Sequence, residues 1–169
     1  LDRPLYRFPV FGLLGIGIGA VALGGARHAM DTLIELAGDK TPQSSSKTLA
    51  MRASTQQAVA RAEALWRSAR AFMMDAVRAG WNEAETTGEI AVDTRRDIRL
   101  ATTHAVHSAQ NIISSMYQLG GGNAIFSQSP LQRCLRDIHV ITQHFMVSDS
   151  TYELTGRLLL GLDTDVTML

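Results

Sequence analysis

The 169-residue sequence has little that would cross-link or interrupt a fold, since it contains 1 cysteine, Cys134, and 4 prolines. A single cysteine excludes an intramolecular disulfide and a zinc knuckle, and it fits a reducing, cytoplasmic environment best. The formal net charge of the chain is zero, because 16 basic side chains are balanced by 16 acidic ones. A neutral chain has no electrostatic footprint for nucleic acid or for an anionic membrane, so we expect neither as a partner.

Motifs of several enzyme classes are also missing. No glutamate is followed three residues later by a histidine, which removes the di-iron site of many helical bundles. No G-x-S-x-G motif is present, and Cys134 lies in an apolar stripe, so it is predicted to be a small core residue rather than a nucleophile. His104 and His107 share a helical face without a third ligand, which favours an ordinary hydrogen-bonded pair over a metal site.

The N-terminal part of the sequence contains a long uncharged run, FPVFGLLGIGIGAVALGGA, between Arg7 and Arg27. Its length suits a membrane span, but its many glycines make it a poor one. A cleaved leader is disfavoured because the helical pattern continues through Leu36. GIGIGA, residues 15–20, matches the dinucleotide-binding fingerprint, but that motif needs a preceding strand, and long helical patterns follow instead.

The small residues of this run give a third interpretation, since they recur at spacings of three and four and therefore line one helical face with almost no side chain. They are Gly12, Gly15, Gly19, Ala22 and Ala26. Glycine costs ~1 kcal/mol per position inside a helix, so tight packing must compensate. We therefore expect this helix to be buried on nearly all sides, within the bundle or across a subunit interface.

Three further long helices are predicted downstream. The break GDKTPQSSS, residues 38–46, ends the first helix, and Ser46 is expected to cap the second, which reaches about Gly80. Thr86 and Glu89 have capping-box spacing before the third helix. The third helix ends at GGGN, residues 120–123, and Ser129 and Pro130 are expected to start the fourth.

The apolar stripes of these helices predict the core. The second helix would bury Val59, Ala62, Trp66, Ala69, Met73 and Ala76, the third Ile98, Ala101, Ala105, Ala109, Ile112, Met116 and Leu119, and the fourth Leu131, Cys134, Ile138, Ile141 and Phe145. The arginines of the second helix, Arg52, Arg61, Arg67, Arg70 and Arg78, are expected on a solvated face. A short segment near 151–160 closes an all-α, up-and-down four-helix bundle that occupies residues 1–169 as one domain.

The segment YQLGGGNAIFSQSPLQRCLRDIHVITQHF, residues 117–145, resembles the C-terminal helical domain of the acyl-CoA dehydrogenase superfamily. In that family a helix ends in a Q-x-x-G-G type turn, and the next helix carries an arginine and aspartate pair. The matching positions are Gln118, Gly120, Gly121, Gly122, Pro130, Arg133, Arg136 and Asp137. The first helix is similar to the family's small-residue pattern as well. The resemblance implies the C-terminal domain of a larger flavoenzyme, assembled as a homotetramer.

One departure separates two branches of this superfamily. Its dehydrogenases commonly place a catalytic glutamate eight residues after the aspartate, where this chain has Phe145. Its flavin monooxygenases, which take reduced FMN or FAD from a separate reductase and hydroxylate small aromatic or related substrates, carry a histidine at the position of His144. The resemblance to that branch implies His144 as the active-site residue, where an imidazole could deprotonate a phenol. Acyl-CoA dehydrogenation is the alternative, and a non-catalytic oligomerisation module is the third possibility.

The same resemblance places Gly121, Gly122, Asn123 and Lys40 near a flavin, in many members the flavin of a neighbouring subunit. Family members often have arginine where Asn123 and Lys40 align. Neither of these side chains has a guanidinium group, which can bind a phosphate through two parallel hydrogen bonds. From the sequence we therefore expect a weakened phosphate clamp at these positions.

Overall fold

The computed structural model describes residues 3–43 and 45–169, and within those ranges it contains five α-helices and no strand. They are α1 (Val10–Asp39), α2 (Ala53–Thr86), α3 (Val92–Gly120), α4 (Pro130–Ile141) and α5 (Asp149–Leu159). The all-α bundle with a short C-terminal helix is therefore confirmed. The fourth helix, however, has 12 residues and ends at Ile141, before Phe145, which the predicted stripe included.

The three long helices alternate in direction. The indole nitrogen of Trp66 donates to the carbonyl of Leu23, 2.9 Å away, and a Cβ added at Gly19 would lie 3.0 Å from the sulfur of Met73. Later residues of α2 thus meet earlier residues of α1, so α2 runs antiparallel to α1.

The ammonium of Lys40 donates to the carbonyl of Gly120, which places the C-terminal ends of α1 and α3 at the same end of the bundle. The up-and-down order of α1, α2 and α3 follows from these contacts.

The side-chain-free face of α1 packs on α3, as its spacing predicts. Gly12, Gly15 and Gly19 are all buried. A Cβ added at Gly15 would lie 3.3 Å from Arg99 Nη1 on α3, and one added at Gly19 would lie 3.0 Å from the sulfur of Met73 on α2. Glycine thus allows side chains of α3 and α2 to lie directly against the backbone of α1.

The opposite face of α1 is exposed, so the expectation of burial on nearly all sides is wrong for this chain. Val10, Leu14 and Val21 are 67%, 52% and 65% exposed. The reason is that α1 lies at the side of the bundle, where α2, α3 and α4 cover only its inner half. Burial of the outer face against another subunit stays a prediction.

The core is built around α3, and most of the predicted stripe positions are confirmed. The buried residues are Ile98, Ala101, Ala105, Ala109, Ile112 and Met116 on α3, Ala62, Ala69, Met73 and Ala76 on α2, and Leu131, Cys134 and Ile138 on α4. Val59, Trp66, Leu119 and Ile141 are half-buried at the edges of this core. Phe145, by contrast, is 53% exposed.

The fingerprint GIGIGA lies wholly inside α1. A phosphate-binding glycine loop must join a strand to a helix, so the dinucleotide interpretation is wrong. Among the described residues, α1 is the one helix long and apolar enough to cross a membrane, judged by length and composition. Its inner face packs on three other helices, as that of a core helix does.

Two predicted helix starts are wrong, because α2 begins later than its predicted cap and α3 is capped by a residue of the preceding helix. Ser46 does not cap α2. The chain instead passes through a short 3₁₀ turn, Leu49–Met51, in which Leu49 is buried, and Arg52 is the residue before the helix. The Leu49 amide donates to the Lys40 carbonyl at 2.8 Å, which ties the loop to the end of α1.

The capping box expected at Thr86 and Glu89 is also absent, since α2 extends through Thr86. The carboxylate of Glu83, on α2, accepts hydrogen bonds from the Ala91 amide at 2.9 Å and from the Thr94 hydroxyl at 2.5 Å. A side chain of the preceding helix therefore caps α3, a contact that local spacing does not reveal.

Replacing Gly15 with leucine tests the close packing of α1 on α3. A Cβ there would already lie 3.3 Å from Arg99 Nη1 and 3.4 Å from Thr102 Oγ1, so we expect Gly15→Leu to lower the free energy of unfolding by about 1–3 kcal/mol. Gly17→Leu is the matched control, because Gly17 is exposed and nothing lies within 4 Å of an added Cβ. Denaturant unfolding of the intact protein measures both, and equal stabilities would contradict the packing described.

Candidate functional site

The glycine turn at the end of α3 exposes bare backbone next to a cation. Gly121 has a φ of +53°, a conformation that L side chains rarely adopt. A Cβ on it would lie 3.5 Å from the Nζ of Lys40, whereas one on Gly122 would meet nothing within 4 Å. Ligand atoms can therefore approach the backbone of this turn closely.

This turn forms one wall of a groove of about 720 Å³ at the end of the bundle. Lys40, Gly121, Gly122 and Asn123 all line it. The fold thus brings together the four residues that the family resemblance placed near a flavin, although the loop carrying Lys40 and the turn carrying Asn123 lie 83 positions apart in the chain. Leu36, Leu49 and Leu119 add apolar wall.

Arg52 lines the same groove and was assigned to the solvated face by its sequence position. The other four arginines of that group, Arg61, Arg67, Arg70 and Arg78, are indeed exposed. Arg52 is half-buried instead, because the 3₁₀ turn before α2 returns the chain toward Lys40. One feature of the sequence could have indicated this position, since Arg52 follows the helix break that contains Lys40.

The electrostatic character of the groove is cationic. Lys40 and Arg52 contribute two positive charges against the single carboxylate of Asp39, and neither cation forms an ion pair within the described residues. The N-terminal end of α2, which has no side-chain cap, adds the positive end of a helix dipole. Arg52 also supplies the guanidinium that Lys40 and Asn123 lack.

His144 does not lie on a bundle helix. α4 ends at Ile141, and His144 precedes a short 3₁₀ turn, Phe145–Val147, with its side chain exposed. Its Nδ1 accepts a hydrogen bond from the Met146 amide at 3.3 Å. Because a backbone amide can only donate, the proton of the neutral ring lies on Nε2. The exposed edge of the ring is therefore a hydrogen-bond donor.

Phe145 was predicted to point inward and is instead half exposed, because the chain leaves the helix before reaching it. Its ring stacks on His144 with centroids 5.1 Å apart and meets the ring of Phe11 edge-on at 6.2 Å. A phenyl ring holds the imidazole in place but accepts no proton.

His144 and the glycine turn lie at opposite ends of the bundle. Phe145, beside His144, contacts Phe11 in the first turn of α1, whereas Lys40 follows the last turn of the same helix. At 1.5 Å per residue, Phe11 and Lys40 are about 40 Å apart along the helix axis. One chain therefore cannot bring His144 and the groove to the same ligand atom.

The remaining candidates have structural contacts. His104 bonds the hydroxyl of Ser108 at 3.4 Å and His107 bonds the carbonyl of Val147 at 3.1 Å, so the two histidines do not pair with each other. The described residues hold no cluster of three metal ligands. Cys134 is buried, and burial raises the pKa of its thiol, with Asp137 adding to the shift and Arg133 opposing it. A protonated core thiol is the predicted outcome.

Comparison with known proteins gives consistent results. Residues 16–149 match the family model described as acyl-CoA dehydrogenase, C-terminal domain. Over 161 residues the chain is 35% identical to the indole-3-acetate monooxygenase of Pseudomonas putida, a match that covers 95% of this chain and 41% of that protein.

Solved structures have the same fold. The 3-HSA hydroxylase from Rhodococcus sp. RHA1 matches with a TM-score of 0.86 at 23% identity, over 99% of this chain and 42% of that one. XiaF from Streptomyces sp., solved in complex with FADH2 and glycerol, matches with a TM-score of 0.88 at 21% identity, over 95% of this chain and 41% of that one. The chain thus spans about two fifths of the length of the proteins it matches.

Proposed function

Since this chain belongs to the family of acyl-CoA dehydrogenase C-terminal domains, we propose that it is the C-terminal domain of a larger flavin-dependent monooxygenase. The whole protein would use reduced flavin and molecular oxygen to hydroxylate a small aromatic substrate. Its partners would be a separate flavin reductase and further copies of itself in a tetramer, in the cytoplasm. The 35% identity to an indole-3-acetate monooxygenase supports this function.

The observation that carries the proposal is the turn at His144. This turn presents an exposed imidazole N–H at His144. The dehydrogenase branch would have a carboxylate one residue later, at the position that Phe145 occupies in this chain. A phenyl ring cannot take the α-proton of an acyl thioester, which weighs against acyl-CoA dehydrogenation. A module used only for oligomerisation would have no need of a cationic groove or of an exposed donor.

The residues of the groove fit a flavin cofactor. Bare glycine backbone at Gly121 and Gly122, the ammonium of Lys40, the guanidinium of Arg52 and the amide of Asn123 are suitable groups for holding phosphate and ribose oxygens. A bound reduced flavin supplies the electrons with which oxygen is activated. FMN and FAD both carry a phosphate that this groove could bind.

The role of His144 follows from its tautomer. With Nδ1 engaged by the Met146 amide, the ring can donate from Nε2 to an oxygen of the substrate. Taking a proton from a phenol would first require that the bond to Met146 open. We therefore propose that His144 orients and polarises the substrate oxygen by donating a hydrogen bond, with proton removal as a second role once the bond opens.

The distance between the two ends of the bundle implies shared active sites. If His144 and the groove serve flavins about 40 Å apart along the helix axis, the groove of one subunit holds a flavin whose reaction is assisted by His144 of another subunit. The exposed apolar face of α1, with Val10, Leu14 and Val21, offers surface for such an assembly.

Replacing His144 with alanine tests its role. In the intact enzyme we expect His144→Ala to lower the hydroxylation rate at least about tenfold, the scale of a lost catalytic hydrogen bond or proton transfer. Flavin affinity should not change, because the proposed hydrogen bond of His144 goes to the substrate oxygen and not to the cofactor. His139→Ala, an exposed histidine on α4, is the matched control. Turnover at the wild-type rate would remove His144 from the mechanism.

Replacing the two groove cations tests the flavin site. Lys40→Met and Arg52→Met should each weaken the binding of reduced flavin by about tenfold, the worth of one charge-assisted phosphate contact. Titrations with FMN and with FAD show which cofactor the cations hold. Arg78→Met removes an exposed arginine of α2 and should leave both affinities unchanged. An unchanged affinity in the Arg52 variant would show that its guanidinium does not touch the cofactor.

Mixed oligomers test whether subunits share active sites. A subunit carrying His144→Ala and one carrying Lys40→Met with Arg52→Met should each be impaired alone. If the groove and His144 of one site come from different subunits, co-expression creates sites with both wild-type parts and restores part of the hydroxylation. Activity no higher than the average of the two parent variants would contradict this arrangement.

A further inference from the structure

We propose that His107, on α3, is a positioning residue that holds the turn presenting His144 in its working geometry. This inference rests on the role proposed above for His144. The family resemblance assigns no function to His107, and its sequence position suggested only a hydrogen-bonded pair with His104.

The contact is made to the backbone of the turn itself. The Nε2 of His107 lies 3.1 Å from the carbonyl oxygen of Val147, the last residue of the 3₁₀ turn Phe145–Val147. A carbonyl only accepts, so His107 donates this bond through a proton on Nε2. The ring of Tyr152 packs beside the imidazole at 5.6 Å, and Asp149 lies 3.9 Å from the same nitrogen. The donor is thus fixed between α3 and the start of α5.

A second side chain of α3, that of Arg99, anchors the same turn through Thr151 of α5. The hydroxyl of Thr151 donates to the Met146 carbonyl at 3.3 Å, and the guanidinium of Arg99 donates to Thr151 at 3.5 Å. Arg99 is 2% exposed, and its Nε and Nη1 have no other partner among the described residues. Its Nη1 lies against Gly15, so the small residue on α1 leaves the space that this guanidinium occupies.

These two anchors act on the atoms that set the state of His144. The amide of Met146 donates to His144 and fixes its tautomer, and the carbonyl of Met146 accepts from Thr151. Val147, whose carbonyl accepts from His107, is the next residue in the chain. The only other ring or hydrogen-bond contact of the His144 side chain within the described residues is its stacking on the exposed ring of Phe145, while the His144 carbonyl accepts a hydrogen bond from the Val147 amide at 3.0 Å. If the Val147 bond is lost, the turn can shift, and the donor Nε2 no longer points to a fixed place. A displacement of about 1 Å at a reacting group can lower a rate by up to about a hundredfold.

The test uses the full-length flavoenzyme with three new single variants, the His144→Ala variant described above and one double variant. His107→Met removes the donor while keeping an apolar side chain of similar size. His107→Gln keeps an N–H that reaches the Val147 carbonyl and carries no titratable group. His104→Met, one helical turn earlier, removes a histidine that bonds only Ser108 of its own helix. The double variant combines His107→Met with His144→Ala.

We expect His107→Met to lower kcat for hydroxylation by on the order of tenfold while flavin affinity stays unchanged. His107→Gln should recover most of the rate, and His104→Met should resemble the wild type. The double variant should be no slower than His144→Ala alone, because a positioning residue has nothing left to position. Independent, multiplying losses in the double variant would identify a merely structural role and overturn the inference. A glutamine variant as slow as the methionine variant would do the same.

If His107→Met does not fold, Thr151→Val loosens the turn from its other side and should show the same lack of additivity with His144→Ala. Additive losses in that pair would overturn the inference. The outcomes also separate the two proposals. An unimpaired His144→Ala variant would end the proposed role of His144 itself. If His144→Ala lowers the hydroxylation rate while the His107→Met variant turns over at the wild-type rate, only the role given to His107 is overturned.

Discussion

The close approach of α1 to α3 is the contact from which the other features of the structure follow. Gly15 leaves α1 without a side chain where Arg99 and Thr102 of α3 come nearest. Gly19 does so where Met73 of α2 comes nearest. Glycine in a helix is unfavourable by ~1 kcal/mol per position, and buried packing against α3 offsets that cost. The space at Gly15 accommodates the guanidinium of Arg99, which is 2% exposed.

That packing also sets the distances that matter for function. Two rigid parallel helices of about 30 residues carry the groove at one end and the turn of His144 near the other. Side chains in the core are apolar and closely packed, so the polar chemistry is confined to the places where helices end. Helix ends leave backbone amides and carbonyls without partners inside the helix, and here lysine, arginine and histidine side chains serve them. The groove depends on one such end and the His144 turn on another.

The two positions by which the family resemblance separates dehydrogenases from monooxygenases, His144 and Phe145, lie in a short non-helical segment. After Ile141 the chain leaves α4, and a 3₁₀ turn decides where His144 and Phe145 point. Since the Met146 amide occupies Nδ1 of His144, the ring offers a donor, whereas a carboxylate at the next position would have offered an acceptor. Under the proposed function, the same backbone turn would present a donor here and a proton acceptor in a dehydrogenase, and α3 contacts this turn through the bond from His107 to Val147.

The sequence by itself determined the all-α class, most of the core stripes, the packing face of α1 and the turn at Gly120, because each depends on local periodicity or on the backbone freedom of glycine. Lys40, Gly121, Gly122 and Asn123 could be grouped only through the family resemblance, and the fold brings them to one groove. Tertiary structure alone decided that Arg52 joins them, that Glu83 caps α3, that Phe145 turns outward and that His107 contacts Val147. Each of these is a meeting of residues far apart in the chain or a departure from a helix. Residue spacing carries information about neighbours within one helix and none about which helices come together.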